Sequence, residues 1–238
     1  MSIIEFTPSD MKVVEQFSAP IPASQCLPEW YKNQTSLSGD KLIMHPNGVY
    51  NGTIKKCMPV LDDITAGYII KLESDIIVDY EPGSNFPKLH WSYSCDKEII
   101  GTHSTDQVSH FPVPNGYSVH PFKFNNYWHI KTPPGYSCMF RHPFYHVTDQ
   151  PFYCLSGIVD TDLHPIAINF PFFIKENFLG VIPFKTPIIQ IIPFKREEWE
   201  MKVCVDQNNE SGTKEYYETT KKIMHRYKDN WRSVKSWK

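Results

Sequence analysis

Proline sets the first limit on what this chain can become. Twenty prolines are spread over 238 residues. Each fixes φ and removes a backbone N–H, so helix interiors and central strands tolerate it poorly. Few stretches between prolines have room for a long helix. Only 11 glycines accompany them, whereas aromatic residues reach 14%. The pattern predicts short strands joined by ordered turns.

A chain of this length can bury a sizeable core, as one large domain or one domain with appendages. The composition is globular, 41% hydrophobic and 21% charged, and the formal charge of −2 gives no overall signal for a polyanionic partner. The opening MSIIEFTPSDMKVVEQF carries acids early and no apolar run of signal-peptide length. No window approaches the roughly 18 uninterrupted apolar residues of a membrane span. The expectation is a cytoplasmic protein with no membrane attachment. Cys26, Cys57, Cys95, Cys138, Cys154 and Cys204 are scattered without a CxxC pair, which argues against a zinc ribbon or a disulfide scaffold and for buried free thiols. The Asn-x-Ser/Thr matches at Asn33, Asn51 and Asn209 carry little meaning without a secretory signal.

Three regions follow from patterning. Residues 1–51 read as an extended arm, whose FSAPIPASQCLPEWYKN would lie across a surface with its aromatics as anchors. Residues 52–205 hold the β-rich runs. Tyr68–Leu72 and Asp75–Tyr80 flank a short turn candidate at Glu73-Ser74, and Lys88–Ser94 alternates as another strand. Residues 96–121 are polar and read as a long loop. KFNNYWHIKTPPGYSCMFRHPF then gives strand, turn, strand, and FLGVIPFKTPIIQIIPFKREEWEMKVCV gives the same again. In 206–238, Thr213–Ser233 shows a helical stripe of Tyr216, Thr220, Ile223, Tyr227 and Trp231. Eight Lys/Arg against three Asp/Glu give Thr213–Lys238 a charge of +5. That is a solvated helix face, or else a basic tail that meets a partner or nucleic acid; nucleic acid enters by no other route. The whole reads as a mainly-β sandwich or jelly roll.

The segments PVLDDITAGYIIKLESDIIVDYEPG, WHIKTPPGYSCMFRHP, LSGIVDTDLHPIAINFPFFI and VIPFKTPIIQIIPFKRE resemble a family of tailed-phage and bacterial proteins without a firm activity, from about Leu27 to Trp199. Their order also resembles the dUTPase and dCTP-deaminase superfamily, whose fold is a β-clip jelly roll. TAGYIIKLESDIIV, which includes Tyr68, is similar to that superfamily's first strand, and TPPGYSCMFRHP to the strand that runs into Arg-Ser-Ser. GIVDTDLHPIAINF is similar to its Gly-Val-Ile-Asp-x-Asp-Tyr-Arg-Gly hairpin, and PFKTPIIQII to its glutamine-bearing late strand, with Gln190 at the glutamine. The resemblance implies a trimeric homo-oligomer, with Asp160 as general base, Asp162 at the second aspartate, and Arg141, Gln190 and Tyr68 against the substrate. A divalent metal such as Mg2+ would accompany such an enzyme; a non-catalytic protein would need no cofactor.

Several positions depart from that pattern. Leu163, His164 and Pro165 stand where tyrosine, arginine and glycine are expected, and Ile69 replaces the first-strand aspartate. The Arg-Ser-Ser triplet is Arg141-His142-Pro143, in which proline removes a phosphate-binding amide. RYKDNWRSVKSWK does not reproduce the glycine-rich closing segment. The expectation is therefore a non-catalytic phage-type structural or interaction protein on a dUTPase-like scaffold, with a phage or host protein as partner, in the host cytoplasm or the virion. The alternative is a divergent deoxynucleotide pyrophosphatase or deaminase using Asp160. Asp160 and Asp162 fit a turn whose carboxylates cap backbone amides, or else retained catalytic or metal-binding groups.

Other constellations are thinner. His103, His110 and His120, with Asp106 nearby, could hold zinc or iron in a metal-dependent jelly-roll enzyme, but no His-x-His or His-x-Asp occurs. His142 and His146 have i, i+4 spacing across a proline, and Cys138 with His142 offers a Cys–His dyad by spacing alone. No P-loop, GxGxxG or GxSxG is present. Phenylalanines alternating along strands read as core.

Overall fold

The computed structural model describes every residue except 1, 42, 46–47, 50, 93–96, 148, 150, 205–211, 213 and 215–226. Its strands are short, as the proline distribution predicts. In chain order they are β1 (Glu5–Pro8), β2 (Ile21–Pro22), β3 (Met44–His45), β4 (Gly48–Val49), β5 (Tyr68–Lys71), β6 (Ile76–Tyr80), β7 (Pro87–Trp91) and β8 (Ile100–Thr102). There follow β9 (Tyr117–Phe124), β10 (Trp128–Lys131), β11 (Tyr136–Arg141), β12 (Phe152–Cys154), β13 (Gly157–Val159), β14 (Phe170–Lys175), β15 (Gly180–Ile182) and β16 (Pro187–Lys195). Three short helices, α1 (Met11–Gln16), α2 (Glu29–Asn33) and α3 (Met58–Ile64), lie before β5. The chain is mainly β, and among the described residues all strand pairings are antiparallel.

Two sheets carry the core. One has the order β13-β11-β16-β5-β2, the other β12-β14-β9-β8. Among the described residues there are also a third sheet, β15-β6-β7, and the ribbons β1-β10 and β3-β4. Phenylalanine joins the layers. Phe140 of β11 stacks on Phe170 of β14 across the two sheets at 5.8 Å, and within the second sheet Phe124 of β9 lies over Phe172 of β14 at 3.9 Å with rings 11° apart. Alternate residues of a strand face the same way, so the phenylalanines at 170 and 172 both reach this cluster. β16 is buried through Ile188–Ile191, as a central strand covered on both faces should be.

The connections differ from the expected hairpins. β5 and β6 are close in sequence, yet β5 pairs with β16 and β6 with β15 and β7. The same holds for β10 and β11, for β13 and β14, and for β15 and β16: each turn passes the chain from one sheet to another. The polar stretch 96–121 is also more ordered than a loop. It contains β8, a 3-10 turn at Thr105–Val108 and the start of β9, because Ile99 and Ile100 are apolar enough to be buried.

The N-terminal region is integrated rather than simply extended. β1 pairs with β10, β2 with β5, and α1 is capped by the Asp10 carboxylate, which accepts from the Val13 amide at 3.2 Å. The expected aromatic anchor is present: the Trp30 indole N–H donates to the Tyr145 carbonyl at 2.8 Å. Most of the helix expected over 213–233 lies outside the described residues. Its end, Tyr227–Trp231, forms one π-helical turn. Among the described residues no helix is long and apolar enough to cross a membrane.

Candidate functional site

β11 organises two polar clusters, one at each end. It pairs with β13 on one side and β16 on the other, with Cys138 opposite Val159 and Tyr136 opposite Lys195. This register brings three chain segments to one edge: the turn after β13, the turn before β11 and the residue after β16.

At that edge β13 ends at Val159, and Asp160 opens a turn in which the Leu163 and His164 amides donate to the Asp160 carbonyl, each at 2.9 Å. The aspartates therefore lie on a turn rather than on a continuing strand. Pro133-Pro134-Gly135 forms the opposing turn, where Gly135 adopts φ +84, open to glycine without strain. Arg196, just past β16, reaches across the start of β11. Its guanidinium grips the Asp162 carboxylate through two bonds of 2.8 and 2.5 Å, and also donates to Ser137 Oγ and the Tyr136 carbonyl. The Gly135 amide adds a third donor to Asp162 at 2.7 Å. Asp162 is 5% exposed, and the Arg196 fork, with the Gly135 amide behind it, holds its pKa down to about 2.

Asp160 stands differently. Its Oδ1 accepts from Ser137 Oγ at 2.6 Å and lies 3.2 Å from Arg196 Nη1, but the side chain is 54% exposed. Between the two carboxylates Thr161 points inward, sharing a 2.7 Å hydrogen bond with Thr132 and donating to Cys138 Sγ. Nothing in the sequence singles out Arg196. Its partner lies 34 residues away, and the pairing of β11 with both β13 and β16 brings them together.

The second cluster occupies the other end of β11. Arg141 is opposite Gln190 in the ladder and donates to Gln190 Oε1 from Nε and Nη2. Arg141 Nη1 lies 2.6 Å from Asp63, and Nη2 donates to the Asp63 carbonyl. The Gln190 amide donates to the carbonyls of Asp63 and Ala66, which fixes the end of α3 on the sheet. Beside them His146 places one ring nitrogen 2.9 Å from the Cys26 carbonyl and the other 3.0 Å from that of Ile64. Burial lowers its pKa, against the pull of the two carbonyls. From Ser137 to Arg141 is four residues, or roughly 13 Å of strand.

The remaining expected residues fall elsewhere. Tyr68 packs edge-on against Phe6 and Trp237, its hydroxyl donating to the Lys238 carbonyl at 3.3 Å. His103 follows β8, His110 sits in a left-handed turn, and His120 lies in β9 against Phe86. Among the described residues no three His, Cys, Asp or Glu side chains are grouped to hold a metal ion. Nor do Cys138 and His142 form a dyad: His142 Nδ1 accepts from the Cys154 amide, while burial pushes the Cys138 thiol up to about 11. A thiol held protonated is a poor nucleophile.

Comparison with protein-family models, with curated proteins and with solved structures gave no match.

Proposed function

We propose that this protein is a non-catalytic scaffold of phage type, built on a β-clip-like core, that acts through interactions with other proteins. The observation that supports this reading is the internal employment of the charged groups that nucleotide chemistry would need. Asp162 is held by Arg196 and Gly135, Arg141 by Asp63 and Gln190, and Gln190 in turn by two backbone carbonyls. A guanidinium already neutralised by a carboxylate attracts a phosphate weakly, and freeing it would expose a partly buried aspartate. These groups fasten turns and a helix end to the sheet.

A thermal-shift screen with deoxynucleotides and divalent cations, Mg2+ included, tests the proposal. A nucleotide present at about 100 times its dissociation constant would stabilise the fold by about 2.7 kcal/mol, a readily measured shift. The scaffold reading expects no selective shift, and one would overturn it.

Asp160 supports a second reading. It is the more exposed carboxylate, and its Oδ2 has no hydrogen bond among the described residues, so it has a free face toward a water molecule. That is the geometry of a general base, in a divergent deoxynucleotide pyrophosphatase or deaminase. Here Asp160→Asn would abolish turnover and weaken the nucleotide-induced shift; retained turnover would remove Asp160 from any mechanism.

A further inference from the structure

Beyond β16 the chain continues from Glu197 to Cys204 without turn, bend or strand partner. Among the described residues its backbone takes part in no hydrogen bond. Trp199, Met201 and Val203 are 88%, 87% and 77% exposed. Scattered exposed apolar residues are ordinary. Three at alternate positions share one face once the segment takes β conformation, and its N–H and C=O groups, unpaired among the described residues, make it a template for another strand.

The charges on the opposite face select the partner. We infer that Glu198–Cys204 pairs antiparallel with the same segment of a second copy of this chain, about a two-fold axis at Met201. In that register Trp199 faces Val203 of the other copy, an aromatic–β-branched pair, and Glu200 faces Lys202. The diagonal neighbours of each Lys202 are Glu198 and Lys202 of the other copy, so the direct Glu200–Lys202 pairs decide the balance. Neighbouring registers that keep the apolar residues on one face are disfavoured: shifting by two in one direction sets Glu200 against Glu200, and in the other Lys202 against Lys202. Parallel in-register pairing produces both clashes. Of these registers, the one centred on Met201 keeps the apolar face and sets no like charges directly opposite each other. The pairing is isologous and closes at two copies, unlike the trimer that the β-clip resemblance implies. It holds whether or not Asp160 carries chemistry.

Sedimentation of the full chain over a range of concentrations tests the pairing. The native protein should show a reversible monomer–dimer equilibrium. Glu200→Lys places lysines opposite each other at both symmetry-related pairs, and Lys202→Glu places glutamates there. Each variant alone should dimerise at least about tenfold more weakly. An equimolar mixture of the two should recover dimer, because every cross-strand pair is then complementary, and the Glu200→Lys/Lys202→Glu double variant should recover it too. Recovery in the mixture also shows that the single variants are folded. A native chain that stays monomeric at every concentration would overturn the inference. So would a dimer or trimer indifferent to both charge reversals.

Discussion

Asp160 and Asp162 are two residues apart and live in different electrostatic surroundings. The buried one is paired through two guanidinium hydrogen bonds and a backbone amide; the other faces water. Burying an unpaired carboxylate is strongly unfavourable, and the Arg196 fork offsets that cost at Asp162. The linkage has a definite sign. Asp162 binds its proton near pH 3.8 when unfolded and near 2 when folded. Its contribution to stability is present above about pH 3.8 and is lost as the pH falls through about 2. Urea unfolding in steps from pH 5 to 2 should therefore show a steeper acid loss in the native protein than in Asp162→Asn. Equal slopes would mean that the Arg196 fork does not hold in solution. The turn was legible from its residue types, and Asp162 does cap an amide. Arg196 was not, since no local pattern marks a cation that acts across a strand.

The strands themselves follow from sequence, whereas their partners do not. Tyr68–Lys71 and Ile76–Tyr80 are strands where β-forming runs predict them, but they belong to different sheets. Alternation fixes which face of a strand is buried; it does not say which edge meets which neighbour. Gly67, at the entrance to β5, shows how tight one such meeting is. It adopts φ +66, and a Cβ there would stand 1.9 Å from the Ile191 carbonyl oxygen of β16. Gly67→Ala should cost about 2–4 kcal/mol in denaturant unfolding, from backbone strain and steric clash together. Gly83, also at positive φ but with nothing within 4 Å, is the control. Its alanine variant should cost about 1 kcal/mol, the conformational penalty alone. Equal costs would mean that β5 and β16 separate easily.

At the scale of the molecule, the two ends of the chain meet the same body. Ser2 hydrogen-bonds Tyr136, and Tyr68 lies between Phe6 and Trp237. Asp62 of α3 holds both Arg232, through Nε and Nη2, and Lys235. Two cations of the basic tail are thus committed to an internal carboxylate. Asp62→Asn should loosen this attachment and speed tryptic cleavage after Arg232 and Lys235 several-fold, with little effect on core unfolding, since that cleavage rate follows local opening. Unchanged cleavage would mean that the ring contacts of Trp237 suffice to hold the tail.

The sequence by itself determined the mainly-β class, the shortness of the strands and the turn that carries the aspartates. Those properties are set within a few residues, by proline geometry, by alternation and by side chains that bond nearby amides. The tertiary structure decided which strands share a sheet and which cation each carboxylate meets. Asp162 and Arg196 are 34 positions apart, and Asp62 and Arg232 are 170. Contacts at such separations depend on how the whole chain closes around its phenylalanine core, and no local pattern records that.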